Sequence, residues 1–336
     1  MPKIIYSQTV SPVLNGITIS NANIDASNSS LTNYNRPIHR IFSTEVSGTA
    51  VYSSTDTVTW TLTTMPQSGT KSGMAYGLNQ LVLVIKNSTT AITSTDGITW
   101  TTRTLPSSWQ WETLHFGEFN SRFVVTAGGS SSRALVSTNG TTWTDTTMPA
   151  TSFWNGLSSN RSLYLAVGSG TTAASSTDGI TWTLRTLPVS NNNWRVFSDS
   201  NMFVAFCQGS TTAATSSDAI TWTTRTLPST NVWSSMAYGN GRYVIIATSN
   251  TTAATVSTDT VTWTLTTMPV AASWNTVAYS PYIGKFIAAG SSKAAYSVDG
   301  ITWTLAPTLP SAFAINSLTF SAISMANSTT RAISTI

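Results

Sequence analysis

Apolar and polar positions alternate over short stretches along this chain, and the stretches recur. From Trp233, WSSMAYG alternates and ends at Gly-Asn-Gly, a turn signal. RYVIIATS (Arg242–Ser249) is a continuous β-rich run, followed by TAATVST (Thr252–Thr258) and by VTWTLTTMP (Val261–Pro269), which proline closes. Runs of this length between turn residues predict four short antiparallel strands. The unit then repeats. SSTDTVTW ends at Trp60, TSTDGITW at Trp100, VSTNGTTW at Trp143, SSTDGITW at Trp182, TSSDAITW at Trp222, VSTDTVTW at Trp263 and YSVDGITW at Trp303, spaced by 40, 43, 39, 40, 41 and 40 residues. A β-type period near 40 is that of a propeller blade. The fold expected is all-β, a seven-bladed β-propeller of four-stranded antiparallel blades.

The ends of the repeat predict how the ring closes. No good first strand precedes Arg40, whereas INSLTFS (Ile315–Ser321) matches the first strand WNTVAYS (Trp274–Ser280). The C-terminus is therefore expected to pair with Arg40–Thr44, removing the free edges that an open array exposes. The organisation that follows is an arm over 1–36, a propeller over 37–321 and a tail over 322–336. The arm, with LNGITISNANIDASNSS, is too short and polar to bury a core alone. It is expected to gain order by docking onto a partner or onto other copies of itself.

Asp56, Asp96, Asn139, Asp178, Asp218, Asp259 and Asp299 occupy the repeated turn, where a carboxylate or amide caps backbone N–H groups. Four of these precede Gly, which predicts two-residue hairpins with positive φ at both turn positions. Asp56-Thr57, Asp218-Ala219 and Asp259-Thr260 need another geometry or carry strain. Trp111, Trp154, Trp194, Trp233 and Trp274 open first strands, where rings packed between blades are expected to be mostly core. They also border the connections from each fourth strand to the next first strand, so they are candidate ligand-binding rings. Trp109 stands outside the ladder, in the connection Pro106–Trp111. At a loop tip its ring would be free to stack on a sugar; the alternative is that it packs against a neighbouring loop or a partner. These connections vary while the Asp turns repeat, which suits one structural face and one adaptable face.

Composition removes several classes. Of 336 residues 61 are Thr and 50 are Ser, and only 8 % are charged, too few for a helical bundle. With 40 % hydrophobic residues the chain is no disordered polymer, and a single Cys excludes a disulfide scaffold. The net charge of +4 comes without any Lys/Arg run, so no nucleic-acid partner is expected. MPKIIYSQTVSPVLNG has no signal-peptide h-region, and no apolar stretch is long enough to predict a membrane span.

Chemistry is sparse. Glu112, Glu118 and His115 form the one acid–histidine cluster, a candidate for general-base or metal work. His39 reads as a surface histidine and Cys207 as a small hydrophobe in a buried strand. Arg103, Arg185 and Arg225 share one place after the turn Trp, as an anion-binding row or as charges that protect a blade's outer edge. No nucleophile motif, phosphate loop or metal-ligand spacing occurs. The expectation is no enzyme, no metal and no cofactor.

The turn S/T-x-D-G-x-T-W resembles the Asp-box of sialidases and related propellers, shortened by one residue between Asp and Gly. The resemblance covers about Arg40 to Ser321. It implies the propeller; the arginine triad, the tyrosine–glutamate pair and the acid of sialidases have no counterpart in this sequence. The near-identical STDGITWT repeats, the charge-poor background and LNGITISNANIDASNSS are similar to tailed-phage virion proteins. That resemblance implies a virion component, a decoration, tail or fibre protein. It would be held to other virion proteins by residues 1–36 and would present loops to a host-surface glycan, with self-association as a further expectation. The alternatives are a secreted or surface lectin and a sialidase-like glycosidase.

Overall fold

The computed structural model describes residues 13–14, 17–18, 38–45, 47–56, 59–199, 201–291, 293–306 and 315–323. The chain divides into two compact units, Met1–Arg36 and Pro37–Ile336. In the first, Val13–Leu14 pairs antiparallel with Ile17–Thr18; the remainder of the arm, with its expected docking role, lies outside the described residues.

The second unit is a ring of seven four-stranded antiparallel sheets, as the repeat predicts. Blade 3 is representative, with Trp111–Gly117, Arg122–Ala127, Ser131–Ser137 and Thr144–Ser152 in sequential order. First strands of successive blades lie against one another around the axis, and the C-terminal strand joins the last blade to blade 2, closing the circle. That strand, Ile315–Ile323, pairs with Ile38–Glu45, and its register matches Arg40 with Ser321 and Thr44 with Ser317. Closure therefore occurs where expected. The strand runs on through Ala322 and Ile323, and 324–336 lies outside the described residues.

The core is not one cluster but seven, one at each junction between blades. At the junction of blades 3 and 4, Val124, Val136 and Met148 meet Trp154, Tyr164 and Trp182. Both faces of a blade's central strands are thus buried, but only by its neighbours. This explains their continuous apolar runs, which alternation alone would not give. Blade 2 departs at one position. Lys71 pairs with Ile85 in the register by which Trp111 pairs with Ala127, so a lysine stands in the inner-strand tryptophan place. It is fully buried, and its Nζ donates to Gly48 O.

The Asp turns differ from the predicted hairpin. The aspartates keep negative φ, and only the next residue is left-handed, as at Gly97 (φ 70°) and Gly179 (φ 74°). Asp178 Oδ1 accepts the N–H groups of Ile180 at 2.8 Å and Thr181 at 2.7 Å. Ser176 Oγ accepts from Gly179 N at 2.8 Å and donates to Asp178 Oδ1 at 2.9 Å. This doubly capped loop needs one left-handed residue, not two. Glycine there has a second reason: a Cβ on Gly97 would sit 2.2 Å from Phe42 of the preceding blade. Ala219 (φ 60°) and Thr260 (φ 63°) hold the same conformation, so those two turns keep the geometry and carry the strain, about 1–2 kcal/mol each for a non-glycine residue.

Side chains of one blade's first hairpin then cap the turn of the next. Asn120 Nδ2 donates to Thr177 O and Arg122 Nη1 to Asp178 O. Asn160 reaches Ser217 O, Asn240 reaches Val298 O and Gln80 reaches Asn139 O. The polar groups at this end of the ring, the turn face, are therefore bonded internally, while Ile98, Ile180, Ile220, Val261 and Ile301 stand exposed there.

The fourth strands start after the turn tryptophan rather than before it, and in four blades they run on through proline, whereas Thr61–Thr64, Thr183–Thr186 and Thr304–Leu305 stop before it. Thr264–Ala272 runs through Pro269, and its ladder shifts between the pairs Ala253–Thr267 and Thr251–Ala272. The missing proline N–H falls in that interruption, so no ladder bond is lost.

Two outcomes test this architecture. Deleting everything after Pro310 removes the closing strand, exposes two sheet edges and should turn a soluble particle into aggregate in size-exclusion chromatography; unchanged solubility and melting would contradict closure. The carboxyls of Asp96, Asp178, Asp218, Asp259 and Asp299 are held below their ordinary range by the turn donors. Ile220 and Thr221 N–H bring Asp218 to about 2. Their folded values lie below the unfolded value of about 3.9, so their stabilisation is present above that pH and lost as pH falls through the folded value. Melting temperature should drop between about pH 5 and pH 2, and Asp→Asn at these five positions should flatten the drop.

Candidate functional site

The end opposite the Asp turns, the crossover face, is where each outer strand passes to the next inner strand. The five inner-strand tryptophans, Trp111, Trp154, Trp194, Trp233 and Trp274, are 0 % exposed there. Trp154 Nε1 donates to Ser131 O and Trp194 Nε1 to Gly170 O. The structure thus places five candidate ligand-binding rings wholly in the core, where they offer no face to a ligand. The physical reason is that blades close over them on both sides.

Trp109 is different, being 40 % exposed. It is not at a loop tip. It ends the outer strand Thr101–Trp109, paired with Ser88, and its carbonyl accepts Asn87 N–H. Arg133 Cζ lies 5.5 Å from its ring centroid. Arg133 approaches Asp145 at 3.9 Å, and Asp145 accepts from Ser107 Oγ at 3.0 Å. A guanidinium held this way is attracted to the ring's π-face. Phe153 (44 %), Val189 (37 %) and Val232 (37 %) are exposed on the next three crossovers. Together with Trp109 they form an arc of apolar side chains on one half of this face.

The residues after the inner-strand tryptophan places share one register position near the start of the inner strand, at this end of the ring. These are Ser72, Glu112, Asn155, Arg195, Ser234 and Asn275, every one polar and partly exposed. Glu112 Oε2 pairs with Lys86 Nζ at 2.8 Å. Arg195 Nη1 donates to Asn155 O at 3.1 Å. Sequence reasoning missed this ring except for Glu112. The signal was available: a polar residue at the same register position in six successive blades, five of them after a buried tryptophan and Ser72 after Lys71.

The acid–histidine cluster does not assemble. Glu112 lies near the start of the strand Trp111–Gly117 and Glu118 is exposed beyond its far end. His115 lies between them and meets Ser159 Oγ at 2.8 Å. Burial pulls its pKa down to about 4, so the imidazole is neutral at physiological pH. Among the described residues no three His, Cys, Asp or Glu side chains could share a metal ion. Cys207 is buried, and burial raises its thiol to about 12, leaving it inert. Arg103 and Arg185 turn inward, Nε donating to Thr93 Oγ1 at 3.2 Å and Ser175 Oγ at 2.9 Å. With Arg225 they belong to three different blades and form no common anion row. His39 lies in the strand that receives the C-terminus, paired with Ala322, and its side chain is outside the described set.

No family model and no curated protein matches this chain. Solved structures do. Virginiamycin B lyase from Staphylococcus aureus is similar at a TM-score of 0.65 and 10 % identity, over 76 % of this chain and 92 % of that one. YCF48 bound to D1 peptide is similar at 0.57 and 17 % identity, over 72 % and 83 %. The computationally designed Ika8 protein gives 0.55 and 14 %, over 75 % and 78 %. At these identities the fold alone is shared. They correct one expectation. The absence of known motifs predicted no enzyme, yet a lyase is built on this same ring, so the architecture does not exclude catalysis. Among the described residues, no helix is long and apolar enough to cross a membrane.

Two tryptophans separate core from surface. Trp194→Ala removes a fully buried ring and should cost about 3–5 kcal/mol, whereas Trp109→Ala should cost less than about 1 kcal/mol. Chemical denaturation of both variants checks the contrast, and equal losses would place Trp109 in the core.

Proposed function

We propose that this chain is a binding module of a tailed-phage particle. In this reading residues 1–36 attach it to other virion proteins, and the ring directs its crossover face to a host-surface glycan. The observation that carries the reading is the exposed Trp109 ring held by a guanidinium on the crossover face; exposed apolar side chains alone do not choose between the faces, since Ile98, Ile180, Ile220, Val261 and Ile301 stand exposed on the turn face. On the turn face the repeated carboxylates and carbonyls are bonded within and between blades. The crossover face exposes Trp109, Phe153, Val189 and Val232 on four successive crossovers. Exposed apolar patches rimmed by polar groups mark binding surfaces, and an amphipathic ring such as Trp109 suits the apolar face of a sugar. The charge-poor, Ser/Thr-rich repeats supply the phage part of the reading by analogy.

A protein ligand is the second reading. Its support is that a neighbour of the same fold was solved bound to a peptide. Mass spectrometry of purified particles tests the location: the chain should appear in fixed ratio to the known structural proteins, and its absence would overturn the virion reading. Binding of the isolated protein to a glycan array tests the ligand. Signal that weakens with Trp109→Ala supports the glycan, and a blank array with retained adsorption to cells favours a protein receptor.

A further inference from the structure

One seam of the crossover face gathers an exposed ring, both signs of charge and a hydroxyl. Among the described residues Trp109 is the one exposed tryptophan; Trp60 and Trp222 are half-buried and the rest are core. Trp109 ends the fourth strand of blade 2, Thr101–Trp109, while Arg133 and Asp145 belong to the third and fourth strands of blade 3. The hydrogen bond from Ser107 Oγ to Asp145 Oδ1, 3.0 Å, ties the two blades together there. The Arg133 guanidinium lies 5.5 Å from the Trp109 centroid, and its Nη1 lies 3.9 Å from the same Oδ1, too far for a hydrogen bond. The side chains of Arg133 and Asp145 keep 44 % and 32 % of their surface exposed. Among the described residues Asp145 Oδ2 accepts no hydrogen bond, and the Arg133 guanidinium donates none. Its surroundings set Arg133 apart from the other arginines of the blades. Arg103 and Arg185 give Nε to inward hydroxyls, Arg195 gives Nη1 to carbonyls, and Arg225 Nε is sealed in the interior.

We propose that this seam binds a neutral hexose unit of a glycan through two adjacent hydroxyls, with the sugar's apolar face on Trp109. Arg133 and Asp145 cancel in charge, so an ionic ligand is repelled by one as it is drawn by the other. Adjacent hydroxyls suit both at once. One donates to Asp145 Oδ2 and its neighbour accepts from the guanidinium, each bond assisted by charge. Arg133 approaches the indole on one face, and a ring still 40 % exposed keeps surface for stacking. Ser107 already holds the carboxylate, so less side-chain freedom is lost when a ligand binds. The assignment rests on the glycan reading above; it names the sugar chemistry and adds Arg133, Asp145 and Ser107 to the site.

Titrations of the full chain with methyl mannoside, methyl galactoside and methyl glucoside, followed by saturation-transfer NMR, test it. At least one should bind, and raising the salt should change its affinity less than about twofold, since the ligand carries no charge. Among the monodeoxy analogues of that hexoside, two at adjacent positions should bind about tenfold or more weakly, the worth of one charge-assisted bond. Asp145→Asn and Arg133→Met should each lose about tenfold while their melting stays that of the parent chain. Parent affinity in both variants, with binding lost only in Trp109→Ala, would overturn the proposal and leave the glycan reading standing. Binding confined to charged sugars on the glycan array would do the same. A chain that binds no glycan at all removes the glycan reading together with the proposal. If a variant does not fold, the deoxy series on the parent chain decides: no adjacent pair of weakened positions overturns the assignment.

Discussion

A blade of this protein cannot bury its own faces. Its central strands are apolar on both sides, and those sides meet only the neighbouring blades, through one cluster per junction. Everything else follows from that dependence. Seven junctions need a closed ring, a closed ring needs the strand Ile315–Ile323 to return to Ile38–Glu45, and at junctions such as Gly97 and Gly300 the turn meets the neighbouring blade through a residue without bulk. The Asp turn supplies that residue in a left-handed conformation and fixes it with two side chains, a serine hydroxyl and a carboxylate. Buried indoles then fill the space between blades, contributing a few kcal/mol each.

The same dependence divides the molecule chemically. Junction packing uses the turn face for capping, so its polar groups are already bonded and repeat with the period. The crossover face carries no such duty, and its sequence is free to vary. Trp109, Phe153, Val189, Val232 and the six polar residues near the starts of the inner strands differ from blade to blade for this reason. Lys71 shows how far the variation reaches, since it replaces a core tryptophan and bonds a main-chain carbonyl.

The ring and its closure were legible because they rest on period and self-similarity, which the near-identical turns make plain. Local turn geometry was less so: Asp-Gly suggests a two-residue hairpin, and nothing local tells that the carboxylate will cap two later N–H groups instead. Strand ends were misplaced at the prolines of four blades, because the ladder is interrupted there and a proline is harmless in such a gap. The candidate site was legible only in part. Trp109 stands out by breaking the ladder, but the inner-strand tryptophans look the same in sequence whether buried or lining a mouth.

If each blade depends on its neighbours, the ring must unfold as one body. An open array would melt in stages, from its ends inward. Differential scanning calorimetry compared with indole fluorescence is the direct measurement. Coincident transitions, with calorimetric and van't Hoff enthalpies equal, are the predicted result. Separate transitions for separate blades would contradict the account.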